Sequence, residues 1–134
     1  MSDKPVLFEF AMPLRWRDLD AFNHVNNATF LSYLEETRIH WMTGLEGAWR
    51  NDATSPILAA TSINYRRQLS WPGEIVVQLS VERLGTTSLT FAQRIVDARD
   101  RDILYADGTA VLVWIDTASG RPVPLPEAIR KACA

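Results

Sequence analysis

Cysteine, long apolar runs and an excess of either charge are all scarce in this sequence. The chain of 134 residues has a single cysteine, Cys133. One cysteine cannot form an internal disulfide, so a reducing compartment such as the cytoplasm is expected. No apolar run approaches the roughly 20 residues that span a bilayer. The first apolar stretch is interrupted at Glu9 and is too short for the core of a signal peptide. A cytoplasmic protein without a membrane span is therefore predicted.

The charges are nearly balanced, with 14 lysines and arginines, 16 aspartates and glutamates, and a formal net charge of -2. Domains that bind nucleic acid usually carry a basic excess, so no nucleic-acid partner is expected. The length fits one domain, and a chain of this size buries roughly two-thirds of its unfolded surface. We therefore predict a single domain over residues 1–134 that folds around its own hydrophobic core.

One long helix is predicted near the start of the chain, from about Ala28 to Met42. Asn27 is a suitable N-cap, because its side-chain oxygen can accept a hydrogen bond from an amide of the first turn. Gly44 follows as a stop signal. Apolar side chains recur at near-helical spacing and form a stripe that would face a core. They are Phe30, Tyr33, Leu34 and Trp41.

Alternation of apolar and polar residues predicts five strands. The first begins extended between Phe8 and Trp16, and the others are Ile57–Leu69, Ile75–Leu84, Ser88–Val96 and Ile103–Ile115. Strands joined by short turns pair antiparallel, and a short helix over residues 126–132 is expected to begin after a proline. A single apolar helix can bury itself only against the one sheet available. The prediction is an α+β fold in which a five-stranded antiparallel sheet curls around a long central helix.

The densest polar cluster runs from Arg15 to Asn27, between the first strand and the helix. It contains Asp18, Asp20 and His24. A helix N-terminus offers unpaired amides that can bind a polarised or negatively charged oxygen. A carboxylate or imidazole beside it can act as a base or nucleophile. Aspartates before a helix are also ordinary turn residues that offset the helix dipole, so the residue types alone leave both interpretations open.

The order of the motifs is more informative than the residue types. The pair Asp18-x-Asp20 precedes His24-Val25-Asn26-Asn27, and then come Phe30 and Glu35-Glu36-x-Arg38. This order resembles the opening signature of the 4-hydroxybenzoyl-CoA thioesterase-like branch of the hot-dog superfamily, and it is similar to that of the plant acyl-ACP thioesterases. Later matches are Ile63-Asn64-Tyr65-Arg66-Arg67, Pro72-Gly73-Glu74, Gly85-Thr86-Thr87-Ser88 and Val113-Trp114-Ile115-Asp116. The resemblance therefore covers nearly the whole chain.

The resemblance implies a hot-dog fold and an acyl-CoA thioesterase. In the bacterial family the catalytic carboxylate is the second aspartate, which falls on Asp20, and it acts as nucleophile or general base. The amide that polarises the thioester carbonyl lies at the start of the helix, at Asn27. The plant enzymes add a histidine, which falls on His24, and an asparagine whose position is Phe22 here. A glycine common before the histidine is replaced by Asn23, which also tolerates a left-handed conformation. These departures leave the role of His24 open.

Three further residues are candidates for binding the substrate. Arg66 and Arg67 could bind the phosphates of coenzyme A, although a solvated strand end explains them equally well. Ser88, near a turn, could hydrogen-bond the substrate, although turn chemistry is the default explanation. Glu36 and His40 have a spacing that could hold a metal, but nothing completes such a site and a helix-surface pair is the better interpretation. No metal or redox cofactor is expected, because coenzyme A belongs to the substrate.

The resemblance also implies a homodimer or homotetramer with active sites at the subunit interface. A long edge strand such as Ile57–Leu69 would favour pairing across a two-fold axis. Two other functions remain as alternatives. One is a non-catalytic protein that binds acyl thioesters, and the other is a hot-dog hydratase or dehydratase, whose usual motif differs from the one present here.

Overall fold

The structure is a computed structural model that describes residues 4–134. The first three residues of the predicted domain 1–134 lie outside the described residues. Five strands form one sheet in the order β1-β3-β4-β5-β2, and every neighbouring pair is antiparallel. The predicted α+β architecture is confirmed. The elements are β1 (Phe8–Pro13), α1 (Asn27–Thr43), β2 (Thr54–Tyr65), β3 (Glu74–Leu84), β4 (Ser88–Asp97), β5 (Leu104–Asp116) and α2 (Glu127–Cys133), with a 3-10 turn at Trp16–Asp18.

The core lies between α1 and the central strands of the sheet. The apolar stripe predicted on the helix is buried in full. On β4, Leu89, Phe91 and Ile95 are fully buried and belong to the same core. Trp41 of α1 meets Phe91 edge to face, with ring centroids 5.4 Å apart. Each large side chain buried in this way stabilises the fold by about 1.5–3 kcal/mol, so the helix is fixed firmly on the sheet.

The start of α1 differs by one position from the sequence prediction. The N-cap is Asn26 and not Asn27, because the Asn26 side chain accepts a hydrogen bond from the Ala28 amide at 2.8 Å. Asn27 is the first helical residue instead. The prediction of Asn27 as the cap was therefore wrong, and the correction leaves the Asn27 amide in the first turn, where it has no partner within the helix.

Strand β2 also differs from its predicted bounds, since it begins three residues earlier and ends four residues earlier. It pairs with β5 from Thr54 opposite Asp116 to Tyr65 opposite Ala106. Beyond that point the chain turns away, and Leu69 is buried beside the loop before α1, where its carbonyl accepts from the Val25 amide at 2.7 Å. This departure carries residues 66–69 to the N-terminus of the helix.

Strand β2 forms one edge of the sheet and pairs only with β5 among the described elements. Its residues are mostly exposed, and Ile57 and Leu58 each keep nearly half of their surface exposed. Long apolar edge strands of this kind favour pairing with another chain. Over residues 4–134, neither helix is both long and apolar enough to cross a membrane.

Candidate active site

The loop between β1 and α1 is a compact turn held by its own backbone. The Asp20 amide donates to the His24 carbonyl at 2.8 Å, and the Asn23 amide donates to the Asp20 carbonyl at 3.2 Å. Asn23 has a φ of 60°, the left-handed conformation that asparagine tolerates better than most residues. The turn therefore holds Asp20 and His24 in a fixed relation just before the helix.

One end of this loop is fastened to the core through the Asp18 cluster, which consists of Arg15, Asp18 and Tyr33. The Tyr33 hydroxyl donates to Asp18 Oδ2 at 2.7 Å, the Arg15 amide donates to the same oxygen at 3.1 Å, and the Arg15 guanidinium donates to Oδ1 at 3.1 Å. Asp18 is only 4% exposed. Both of its oxygens are therefore occupied inside the protein.

Electrostatics in the Asp18 cluster favour the charged carboxylate. Burial alone would raise the pKa of Asp18, but the hydrogen bonds from Tyr33 and Arg15 and the charge of Arg15 hold that pKa below its ordinary value. Burial, followed by the bond to Asp18, raises the pKa of Tyr33. Asp18 is thus a charged, buried anchor for the loop.

Asp20 is bound quite differently. Its Oδ1 accepts from the Phe22 amide at 2.8 Å and from the His24 amide at 3.4 Å. Its Oδ2 accepts no hydrogen bond from the described residues. One oxygen therefore orients the carboxylate while the other is available to a water molecule or a substrate carbon.

A cavity of about 490 Å³ opens beside Asp20. It brings together five of the six residues predicted for the site: Asp20, His24, Asn27, Arg66 and Arg67. The rest of the wall is mainly apolar and aromatic, from Phe22, Val25, Phe30, Tyr65 and Leu69, with Gln68 as a further polar residue. A concave site in which polar groups converge beside an apolar and aromatic wall is suited to bind a small molecule.

The first residue of α1, Asn27, lines this cavity and has an unpaired amide. The Ala28 amide donates to the Asn26 side chain, and the Thr29 amide donates to the Asn26 carbonyl at 2.9 Å. The Asn27 amide donates to none of residues 4–134. An unpaired amide at the positive end of a helix is suited to hold a carbonyl oxygen that gains negative charge.

The two arginines after β2 are not equivalent. Arg66 donates to Asp107 Oδ1 through Nε at 3.2 Å and through Nη2 at 3.1 Å. The side chain of Arg67 makes no hydrogen bond or ion pair with the residues that the structure describes. Arg67 is therefore the cation at the cavity that remains available to an anionic ligand.

The other predicted positions lie away from this cavity. Ser88 begins β4 at the turn from β3, where its carbonyl accepts from the Gly85 amide at 2.9 Å, and its role in binding the substrate stays a prediction. His40 stacks on Phe10 with ring centroids 4.2 Å apart, and Glu36 lines a separate small cavity. No three His, Cys, Asp or Glu side chains within residues 4–134 are grouped so that they could hold a metal ion.

Two tyrosine hydroxyls form hydrogen bonds at the site that the sequence did not predict. Tyr33 was counted in the apolar stripe and Tyr65 in a strand motif, yet each hydroxyl has a specific partner. The partners, Asp18 and Asn27, are 15 and 38 residues away along the chain. No short motif could have indicated these bonds, because the spacing is set by the fold.

Comparison with known proteins is consistent with this geometry. A sequence profile described as the thioesterase-like superfamily matches residues 14–133. A solved structure of a proposed acyl-CoA thioesterase from Xanthomonas campestris is 50% identical, with a TM-score of 0.78 over 84% of this chain and 96% of that one. A proposed thioesterase from Pseudomonas aeruginosa is 36% identical, with a TM-score of 0.87 over 97% of this chain and 100% of that one. The long-chain acyl-CoA thioesterase FadM of Escherichia coli is 25% identical over 127 residues, which cover 88% of this chain and 90% of FadM. The predicted hot-dog thioesterase fold is thereby confirmed.

Proposed function

The chain belongs to the thioesterase-like superfamily and is therefore a thioester hydrolase, and from that premise we propose that it hydrolyses an acyl-CoA thioester in the cavity beside Asp20. One observation carries the proposal. Two residues line the same cavity: Asp20, whose carboxylate has a free oxygen, and Asn27, whose backbone amide has no partner among the described residues. These are the two groups that acyl transfer requires, a base or nucleophile and a donor for the developing oxyanion.

In the proposed reaction, the thioester carbonyl oxygen accepts a hydrogen bond from the Asn27 amide. Asp20 then acts through its free oxygen in one of two ways. As a nucleophile, it bonds to the carbonyl carbon and expels the thiolate, and water cleaves the resulting anhydride. As a general base, it removes a proton from water while that water attacks the carbon. Both routes yield a carboxylic acid and a thiol.

The remaining residues at the cavity have supporting roles in this proposal. His24 lies beside Asp20 and orients either the carboxylate or the attacking water. Arg67 binds phosphate of the coenzyme, because its guanidinium is free while that of Arg66 is engaged by Asp107. An arginine fork matches phosphate oxygens well and forms strong charge-assisted hydrogen bonds.

We also propose that the active form is a homodimer or a homotetramer. Exposed apolar side chains on α1 and β2 support this assembly, together with the unpaired edge of β2. They are Leu31, Ile39, Ile57 and Leu58. Light scattering of the purified protein should show two or four chains. A monomer with full activity would contradict the proposal that the site needs a second chain.

Release of free thiol from a panel of acyl-CoA substrates tests the proposed reaction. Wild-type protein should release thiol from at least one of them, and Asp20→Asn should not. Asp116→Asn, which changes the carboxylate of the last residue of β5, is the matched control and should keep wild-type activity. Binding of acyl-CoA without thiol release by the wild-type protein would instead identify an acyl-thioester binding protein. Hydration of an enoyl-CoA would identify a hydratase.

A further inference from the structure

Tyr65 makes a contact that none of the roles described so far uses. It is the last residue of β2, and its hydroxyl donates to the carbonyl oxygen of Asn27 at 2.9 Å. Within the described residues, this is the sole hydrogen bond that joins β2 to α1. The bond therefore ties the strand that leads into Arg66 and Arg67 directly to the first residue of the helix.

The tyrosine ring is oriented by packing. It meets the buried ring of Phe30 edge to face, with centroids 5.3 Å apart and an interplanar angle of 88°. Tyr65 itself is 45% exposed and lines the cavity together with Phe30. The packed Phe30 ring supports one side of the Tyr65 ring, and the bond to the Asn27 carbonyl holds the hydroxyl at the helix terminus.

The bond restrains the peptide that follows the free amide. The Asn27 carbonyl and the Ala28 amide belong to one planar peptide unit. Tyr65 holds its oxygen, and the Asn26 side chain holds its nitrogen at 2.8 Å. A peptide unit fixed on both sides cannot rotate freely, so the direction of the neighbouring Asn27 amide is also constrained. An oxyanion donor is effective only when it is already aimed at the place where charge develops.

We propose that Tyr65 is a positioning residue for the thioesterase reaction, and that its hydroxyl aims the Asn27 amide at the thioester carbonyl by holding the Asn27 carbonyl. The inference rests on the proposed function of the same cavity. Tyr65 does not take part in proton transfer in this account. It acts through the peptide backbone, and it increases the stabilisation of the negative charge that develops on the carbonyl oxygen.

The decisive variant is Tyr65→Phe, which keeps the ring against Phe30 and removes only the hydroxyl. It should lower kcat by about tenfold, less than the loss of an oxyanion donor itself, because the amide is loosened and not removed. KM for acyl-CoA should change by less than about twofold, since the lost interaction matters mainly in the transition state. Tyr105→Phe is the matched control. Tyr105 lies on neighbouring β5 and donates to Asp97 at 2.9 Å, outside the cavity, so kcat should be unchanged.

A second substrate separates positioning from proton donation. A thioester of an aromatic thiol has a leaving group that needs no proton. The alkyl thiolate of coenzyme A is a poorer leaving group. A positioning role predicts the same relative loss of kcat with both substrates. A loss that disappears with the aryl thioester would overturn the proposal, because Tyr65 would then be protonating the sulfur.

The remaining outcomes distinguish this inference from the proposed function. Wild-type kcat in Tyr65→Phe, beside loss of activity in Asp20→Asn, would overturn the inference alone. Equal losses in Tyr65→Phe and Tyr105→Phe would also overturn it, because any lost tyrosine hydroxyl would then have the same effect. Failure of the wild-type protein to release thiol from any substrate would defeat the proposed function and this inference with it.

Discussion

Asp18 and Asp20 are two residues apart in one loop, yet their surroundings are opposite. Asp18 is buried, and both of its oxygens accept hydrogen bonds from Arg15 or Tyr33. Asp20 has one oxygen bound by backbone amides of its own turn and the other free at a cavity. The first arrangement uses up a carboxylate to hold the loop, and the second leaves one available for chemistry. Hydrogen-bond saturation therefore distinguishes the two aspartates where residue type does not.

The largest expected effect is that of Asp20→Asn on turnover. The substitution keeps the size of the side chain and an oxygen that can accept from the Phe22 amide, but it removes the charge that a base or nucleophile needs. We expect kcat to fall by at least about a hundredfold, the low end of what a positioned acid-base group contributes. KM should change little. Thiol release measures activity, and circular dichroism must show an unchanged fold. Full activity in the folded variant would mean that the wrong carboxylate has been chosen.

Asp18→Asn should have its main effect on stability. It leaves the buried Tyr33 hydroxyl and the donors of the exposed Arg15 without a charged partner, and hydrogen bonds to charged groups are worth about 1.5–3 kcal/mol. We expect the free energy of unfolding to fall by about 2 kcal/mol, as measured by urea denaturation at pH 7. Turnover of the folded fraction should suffer less than in Asp20→Asn. A fully stable but inactive Asp18→Asn variant would contradict the assignment of Asp18 as the structural aspartate.

Replacing the two arginines should have a smaller effect, and it should fall on KM for acyl-CoA. Arg67→Ala should raise KM for acyl-CoA by about five- to tenfold, the size expected for losing one charge-assisted contact. Arg66→Ala should raise KM less, because the Arg66 guanidinium is already held by Asp107. Losing that exposed ion pair should cost little stability. A short thioester without the nucleotide should respond weakly to both changes. Equal increases in KM on both substrates would exclude a role for Arg67 in binding phosphate.

The smallest effect concerns the pH dependence of the Asp18 cluster. The folded pKa of Asp18 lies below its ordinary value, so its stabilising contribution is complete above the unfolded pKa of about 3.9. It is lost as the pH falls through the folded pKa. The stability difference between wild-type protein and Asp18→Asn should therefore shrink below about pH 4. Asp97 also has a lowered pKa, because the Arg99 amide and Tyr105 donate to it, but it is present in both proteins and cancels. A constant difference from pH 7 to pH 3 would contradict this account.

Local pattern was sufficient for much of this protein. The buried stripe from Phe30 to Trp41 has the period of a helix, and the alternation in β3 and β4 has the period of a strand. These periods follow from backbone geometry and need no knowledge of the partner element. The order of motifs from Asp18-x-Asp20 onwards was also sufficient to indicate the family, which the comparison with known proteins confirmed.

Boundaries were predicted less well, for a physical reason. Two asparagines in a row, Asn26 and Asn27, could each have capped α1, and the choice of Asn26 depends on which side chain accepts from the Ala28 amide. The apolar pattern of β2 continues to Leu69, but pairing with β5 ends at Tyr65 because the next two amides both bond to the Tyr105 carbonyl. Pairing and capping are decided by geometry that alternation does not encode.

The sequence by itself determined the kinds of element, their order, the family and the short loop that holds Asp20, because each motif behind these predictions consists of residues close together along the chain. Only the tertiary structure decided which carboxylate is saturated, which arginine is free and which tyrosine reaches the helix terminus. Asp107 lies 41 residues from Arg66, and Asn27 lies 38 residues from Tyr65. Such partners meet only after the sheet has formed. A hydrogen bond requires its donor and acceptor to lie about 3 Å apart, and the final packing, not the spacing along the chain, decides whether they do.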